Sequence, residues 1–205
     1  MLKKPKNYDE VQVNEDFIPV TLGGHKGIIM GAEEYTSPIS GNTSLKISVD
    51  MDKSDEQAGY FAEQYRNDTR PDKKWSNSAI KYVSLGEEEN QVKMLKGFIT
   101  AVENSNNGYT YDWNKEVDQL KGKKVGLVFG LEEYENNQGE VKTTTKLNQF
   151  RSLEKIDNVK IPKVKLLNGS TMEYEEYKNR SNNVQNLVNE LGADVVEISD
   201  DKLPF

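Results

Sequence analysis

The 205-residue chain contains no cysteine, which excludes disulfides, thiol nucleophiles and thiolate metal sites together and fits a reducing compartment. It has one histidine, His25, at the start of a predicted strand. We read a structural or surface role for it, and no Ser-His-Asp set. No stretch approaches the roughly 18 apolar residues that span a membrane, and Met1–Lys6 lacks the apolar run of a secretion signal. The expectation is a cytoplasmic protein with no membrane partner. A phosphate-cradling glycine loop of the P-loop type is also missing. We therefore expect no catalytic set, no cofactor and no metal.

Acidic residues are in excess, giving a formal charge of −7, but they are unevenly spread. Residues 166–205 carry eight Asp/Glu against three Lys/Arg, a net of −5, so the other 165 residues, with 24 basic and 26 acidic side chains, carry only −2. A nearly neutral body leaves room for a basic face.

Residues 1–22 are polar, with Pro5 and Pro19, and read as an N-terminal arm. His25–Tyr35 is the first predicted strand, and Thr36–Asn42, with Ser37-Pro38 and Gly41, is an exposed turn. Leu45, Ile47, Val49 and Met51 then alternate with Lys46, Ser48 and Asp50, the period of a strand buried on one face. Ala58–Tyr65, rich in aromatics, reads as the third strand, and Ala79–Leu85 as a short extended piece. Val92, Leu95, Ile99 and Val102 follow at helical spacing, with Asn104–Gly108 as the stop. Tyr109, Tyr111 and Trp113 alternate in a strand-like segment in which packing is expected. Val125–Leu131 and Val141–Arg151, joined across Asn136–Gly139, complete the strands. Pro162 ends the compact region, and Val184–Leu191 suggests a short helix in the tail.

Three strands, a helix and two more strands is the element order of an OB-fold. The predicted fold is therefore mostly β: a five-stranded Greek-key barrel with one core helix over 23–165, flanked by the polar arm 1–22 and an acidic flexible tail 166–205. In that fold the ligand crosses strands two and three between the first and last hairpin loops, here Thr36–Asn42 and Glu135–Glu140. That face draws on Tyr60, Phe61, Tyr65, Trp75 and Tyr82, interleaved with Arg66, Arg70, Lys73, Lys74 and Lys81. Aromatic rings stack on any base while cations follow phosphates, so the pairing suits single-stranded DNA. Trp75 is the first choice for stacking because it follows a charged loop. Lys142, Lys146, Phe150 and Arg151 form a second candidate stripe on the fifth strand. Aromatics within strands are most often core, and Tyr60, Phe61 and Tyr65 cannot all share one face, so at least one is expected to be buried.

The last six residues, Asp200-Asp201-Lys202-Leu203-Pro204-Phe205, join two carboxylates to apolar anchors around a rigid proline. They resemble the acidic tip of bacterial and phage single-stranded DNA-binding proteins, from which Lys202 departs. Leu22-Gly23-Gly24-His25-Lys26, Gly59-Tyr60-Phe61, Lys96-Gly97-Phe98-Ile99 and Gly122-Lys123-Lys124-Val125-Gly126 are similar to motifs of the phage and mobile-element members from Gram-positive bacteria, over about residues 8–157. The resemblance implies an OB-fold core, sequence-independent binding of single strands, and recruitment of replication and recombination enzymes through Asp200, Asp201, Leu203, Pro204 and Phe205. One barrel offers a short site, so tight binding calls for a homo-oligomer or cooperative clustering. Two other readings compete. Asp50, Asp52, Glu140 and Lys142 are candidates for a metal-dependent nuclease, and a barrel that binds protein, with the acidic tail as a DNA mimic, is the alternative to DNA binding.

Overall fold

Strand β1, Gly23–Thr36, belongs to two ladders at once. In the computed structural model, which describes residues 3, 4, 6 and 18–180, Gly23, His25, Gly27 and Ile29 turn inward while Lys26 and Met30 face solvent. Residues Gly23–Ile28 pair antiparallel with β4, Lys124–Glu135, and Gly27–Thr36 pair antiparallel with β2, Thr43–Met51. Gly27 and Ile28 are thus paired on both edges. At Gly27 the Leu127 side chain fills the space a Cβ would occupy. Just beyond, Met30 is an extra residue in the β1–β2 ladder, a bulge that bends the strand.

Strand β3, Ile80–Ser84, adds to β2, and β5, Val141–Arg151, runs along one edge of β4. The opposite edge of β4 is taken first by β1 and then by β6, Val164–Lys165, whose parallel pairing makes the sheet mixed; β7, Thr171–Met172, pairs with β6. Among the described residues the sheet is open, with seven strands where five were expected. The two additions are too short and too interrupted by lysine to show a period, yet Val164 is fully buried and Pro162 packs on Gly130.

The expected third strand at Ala58–Tyr65 is instead helix α1, Tyr60–Asn67, and β3 is the later extended piece. Two causes favour the helix. Ala62, Glu63, Gln64 and Arg66 are good helix formers, and Asp50, 3 % exposed, receives the first turn: its carboxylate accepts the N–H groups of Phe61 at 2.8 Å and Ala62 at 3.1 Å, and also that of Met51 at 2.8 Å. Gly59, at φ 71°, makes the left-handed step into it. Phe61 enters the core and Tyr65 stays outside.

Helix α2, Glu89–Ser105, follows its predicted face through Phe98, Ile99, Ala101 and Val102, but Val92 is exposed. Asn106 ends it, donating from its side chain to the carbonyls of Val102 and Lys124 and accepting the Lys124 N–H, which ties the helix to β4. Tyr109–Trp113 forms no strand; Tyr111 is buried and Trp113 is exposed. A helix over 174–180 closes the described residues.

His25 is buried and structural. Its Nδ1 lies 3.0 Å from Asp55 Oδ1, and its Nε2 lies 3.1 Å from the Thr21 carbonyl oxygen. Burial alone raises the Asp55 carboxyl, but hydrogen bonds from His25 and from the Gln57 and Lys26 N–H groups outweigh it and hold the carboxyl below its ordinary value.

Two outcomes follow from these carboxylates. Asp50→Ala should cost about 2 kcal/mol in chemical denaturation, the upper range for a lost helix cap; an unchanged midpoint contradicts the capping role. For Asp55 the unfolded chain binds more protons between the lowered and the ordinary value, so its contribution is complete above about pH 4 and is lost as pH falls through the folded value. Asp55→Asn should therefore flatten the acid limb of a melting-temperature profile against pH, and a limb identical to wild type excludes that role.

Candidate nucleic-acid interface

Direct cross-strand partners share a face of a sheet, and this rule assembles the outer surface of β1–β2–β3. Lys46 lies opposite both Glu33 and Tyr82, while Ser44 lies opposite both Tyr35 and Ser84. Leu45, Ile47 and Val49 fill the other face, in the core. Across the diagonal of the outer face Tyr35 and Tyr82 approach with ring centroids 5.4 Å apart at 56°, and Tyr82 is 45 % exposed. Lys46 stands beside them, 2.6 Å from Glu33, whose hydrogen bond raises the lysine above its ordinary pKa. The loop at this end carries Ile39, 97 % exposed.

A second aromatic group sits where the β2–β3 ladder stops. That ladder ends at Ser48 opposite Ile80, and the Trp75 indole N–H then donates to the next β2 carbonyl, Val49, at 3.0 Å. The indole is therefore half-buried and fixed in orientation. Tyr65 of α1 packs on it with centroids 5.7 Å apart, and Lys73 lies 4.7 Å over the Tyr65 ring. Along β2, Val49 is three residues from Lys46, about 10 Å.

The remaining predicted residues divide. Arg66 and Lys74 are exposed next to the Tyr65–Trp75 group in the chain. Arg70 is held by Asp68, at 2.6 Å, and its guanidinium pulls that carboxyl down to about 2, so the two charges stay paired throughout the usual pH range. Tyr60 is half-buried, edge-on to Phe61 at 5.0 Å, and lines a cleft with Pro19 and Val20. Lys142 pairs with Glu140 at the β4–β5 turn and Lys146 with Glu132 of β4. Phe150 turns inward onto Phe98, with centroids 4.7 Å apart, because Asn148 is an extra residue in the β4–β5 register and reverses the alternation; Arg151 stays exposed. The expected single stripe on β5 is thus divided.

Tyr35, Ile39 and Lys46 were missed. Alternation in Leu45–Met51 already turned Lys46 to solvent, whereas Tyr35, in step along the chain with the inward His25, Gly27 and Ile29, reaches this face because the extra residue Met30 reverses the alternation of β1. The candidate metal carboxylates have structural partners. Asp50 caps α1, Asp52 accepts from Ser54 and Lys124, and Glu140 lies at the hairpin turn. The tip residues Asp200, Asp201, Leu203, Pro204 and Phe205, the tail helix at 184–191 and most of the arm lie outside the described residues. No protein-family model and no curated protein matches the chain.

The Trp75 bond predicts a stability effect separate from any ligand. Trp75→Phe keeps an aromatic ring but leaves the Val49 carbonyl unpaired, and should cost about 1–2 kcal/mol in thermal or urea unfolding. Tyr82→Ala, at a more exposed site, should cost less. The reverse order contradicts the assignment.

Proposed function

We propose that the chain binds single-stranded DNA without marked sequence preference, through the outer face of β1–β2–β3. The observation that carries this reading is the Tyr35–Tyr82 pair beside Lys46 on that face, with the Tyr65–Trp75 pair anchored at Val49, where the β2–β3 ladder stops. Stacking needs an exposed ring of fixed orientation, and Tyr82, 45 % exposed and held against Tyr35, offers one. We read the first five strands as an open variant of an OB-fold. The ladders run β3–β2–β1–β4–β5 and α2 connects β3 to β4, so a meeting of β3 with β5 is all that separates them from a closed five-stranded barrel. The favoured face is the one on which OB-folds carry oligonucleotides. The acidic tip fits recruitment of replication or recombination proteins, a role read from sequence alone.

A protein-docking reading has one observation in its favour. Trp113, 70 % exposed, stands edge-on to Tyr111 at 4.8 Å, over a cleft of about 300 Å³ lined in part by Leu85, Leu95, Ile99 and Val117. Salt separates the two readings, since phosphate contacts weaken steeply with added salt and an apolar interface does not.

The test is a fluorescence titration in a Trp113→Phe background, which leaves Trp75 as the reporter. Oligo-dT should perturb its emission and duplex DNA should not, with affinity falling as salt rises. Tyr35→Ala or Tyr82→Ala should each weaken oligo-dT binding by about fivefold to 150-fold, the worth of one stacked base. Absence of salt-sensitive oligo-dT binding in both this titration and a gel shift rejects the proposal.

A further inference from the structure

Among the described residues no ladder joins β3 to β5, and residues of both strands line one cleft. This cleft, of about 260 Å³, also borders α2, and its lining includes Lys81, Gly97, Phe98, Phe150 and Arg151. On β4, where it pairs with the stretch of β5 that precedes this lining, one carboxylate serves two lysines: Glu132 lies 3.4 Å from Lys146 through one oxygen and 3.4 Å from Lys165 through the other. Both distances exceed the roughly 2.8 Å of a strong charge-assisted bond, so neither lysine is firmly held. Lys81 adds a third ammonium. Burial lowers its pKa first, and the charges of Lys165 and Lys146 lower it further, against a weaker opposing pull from Glu132. Three cations around one anion leave two positive charges in excess, and Arg151, with no ion pair among the described residues, adds another at the mouth of the cleft.

We propose that this seam is a phosphate track for the same single strand, with Glu132 as the built-in counter-ion that a phosphodiester displaces. The proposal rests on the DNA-binding reading above and extends it from the stacking face to the β3–β5 edge. A phosphate brings the negative charge that the three lysines lack, and it reaches a half-buried site where charge interactions are screened less than on an open surface. Glu132 competes for the same ammoniums, so the intact protein binds more weakly than its lysines alone allow.

The test measures oligo-dT affinity of the full chain over a salt series for wild type, Lys81→Met, Arg151→Gln, Glu132→Gln and Tyr82→Ala. Loss of Lys81 or Arg151 should reduce the slope of log affinity against log salt by about 0.7 each, the value for one single-strand phosphate contact. Glu132→Gln should strengthen binding at low salt by up to about fivefold, the scale of a surface ion pair. Tyr82→Ala should weaken binding with its slope unchanged. If Glu132→Gln fails to fold, the exposed Arg151→Gln carries the test. Should Tyr82→Ala weaken binding while the folded charge variants keep wild-type slope and affinity, the track is overturned and the stacking face stands. If wild type binds no oligo-dT, the DNA-binding reading falls and the track with it.

Discussion

Strand β1 must satisfy two ladders, and the rest of the sheet is arranged around that constraint. Where the ladders overlap, at Gly27 and Ile28, neither edge of the strand is free. The chain can be this crowded only because residue 27 has no side chain and Leu127 of β4 occupies the vacant volume. The same device recurs one layer out, where a Cβ on either Gly24 or Gly126 would collide with Ile156. Glycine here is a packing requirement, allowing a third segment to lie against two paired strands.

The candidate surface follows from the same geometry. The bulge at Met30 bends β1 as it leaves β4 for β2, and beyond it Glu33 and Tyr35 join Lys46 and Tyr82 on one face. Past the last β2–β3 pair, the sheet edge is finished by an indole N–H in place of a strand. Trp75 is therefore both a structural cap and the inner member of an exposed aromatic pair. The two roles are compatible, because a ring pinned by a hydrogen bond loses little entropy when a base stacks beside it.

Alternation made β2 legible, and helical spacing made α2 legible, because their apolar residues repeat with a period that burial imposes, while β5, with Val141 exposed, was legible from the Asn136–Gly139 turn before it. Ala58–Tyr65 misled because aromatic content suggested a strand, while the decisive contact, Asp50 receiving the first turn of α1, comes from another element. Parity on β5 misled for a different reason. One extra residue at Asn148 sends Phe150 inward, and such an insertion leaves no mark on composition. The stripe Lys142–Lys146–Arg151 looked purely basic along the chain, yet Glu132 and Glu140 supply cross-strand and turn partners. Position along a strand reports which face a residue takes; it does not report the charge next door. Trp113 escaped burial even though its neighbour Tyr111 packs as expected, because a loop sets no shared face for the two.

The claim that the aromatic pair on β1–β2–β3 receives a base is tested most directly by photo-cross-linking an iodinated oligo-dT to the protein and mapping the modified residues. The account predicts adducts at Tyr35 and Tyr82, with Tyr65 as the next site. Adducts confined to Trp113 and α2, or none above a duplex control, contradict it.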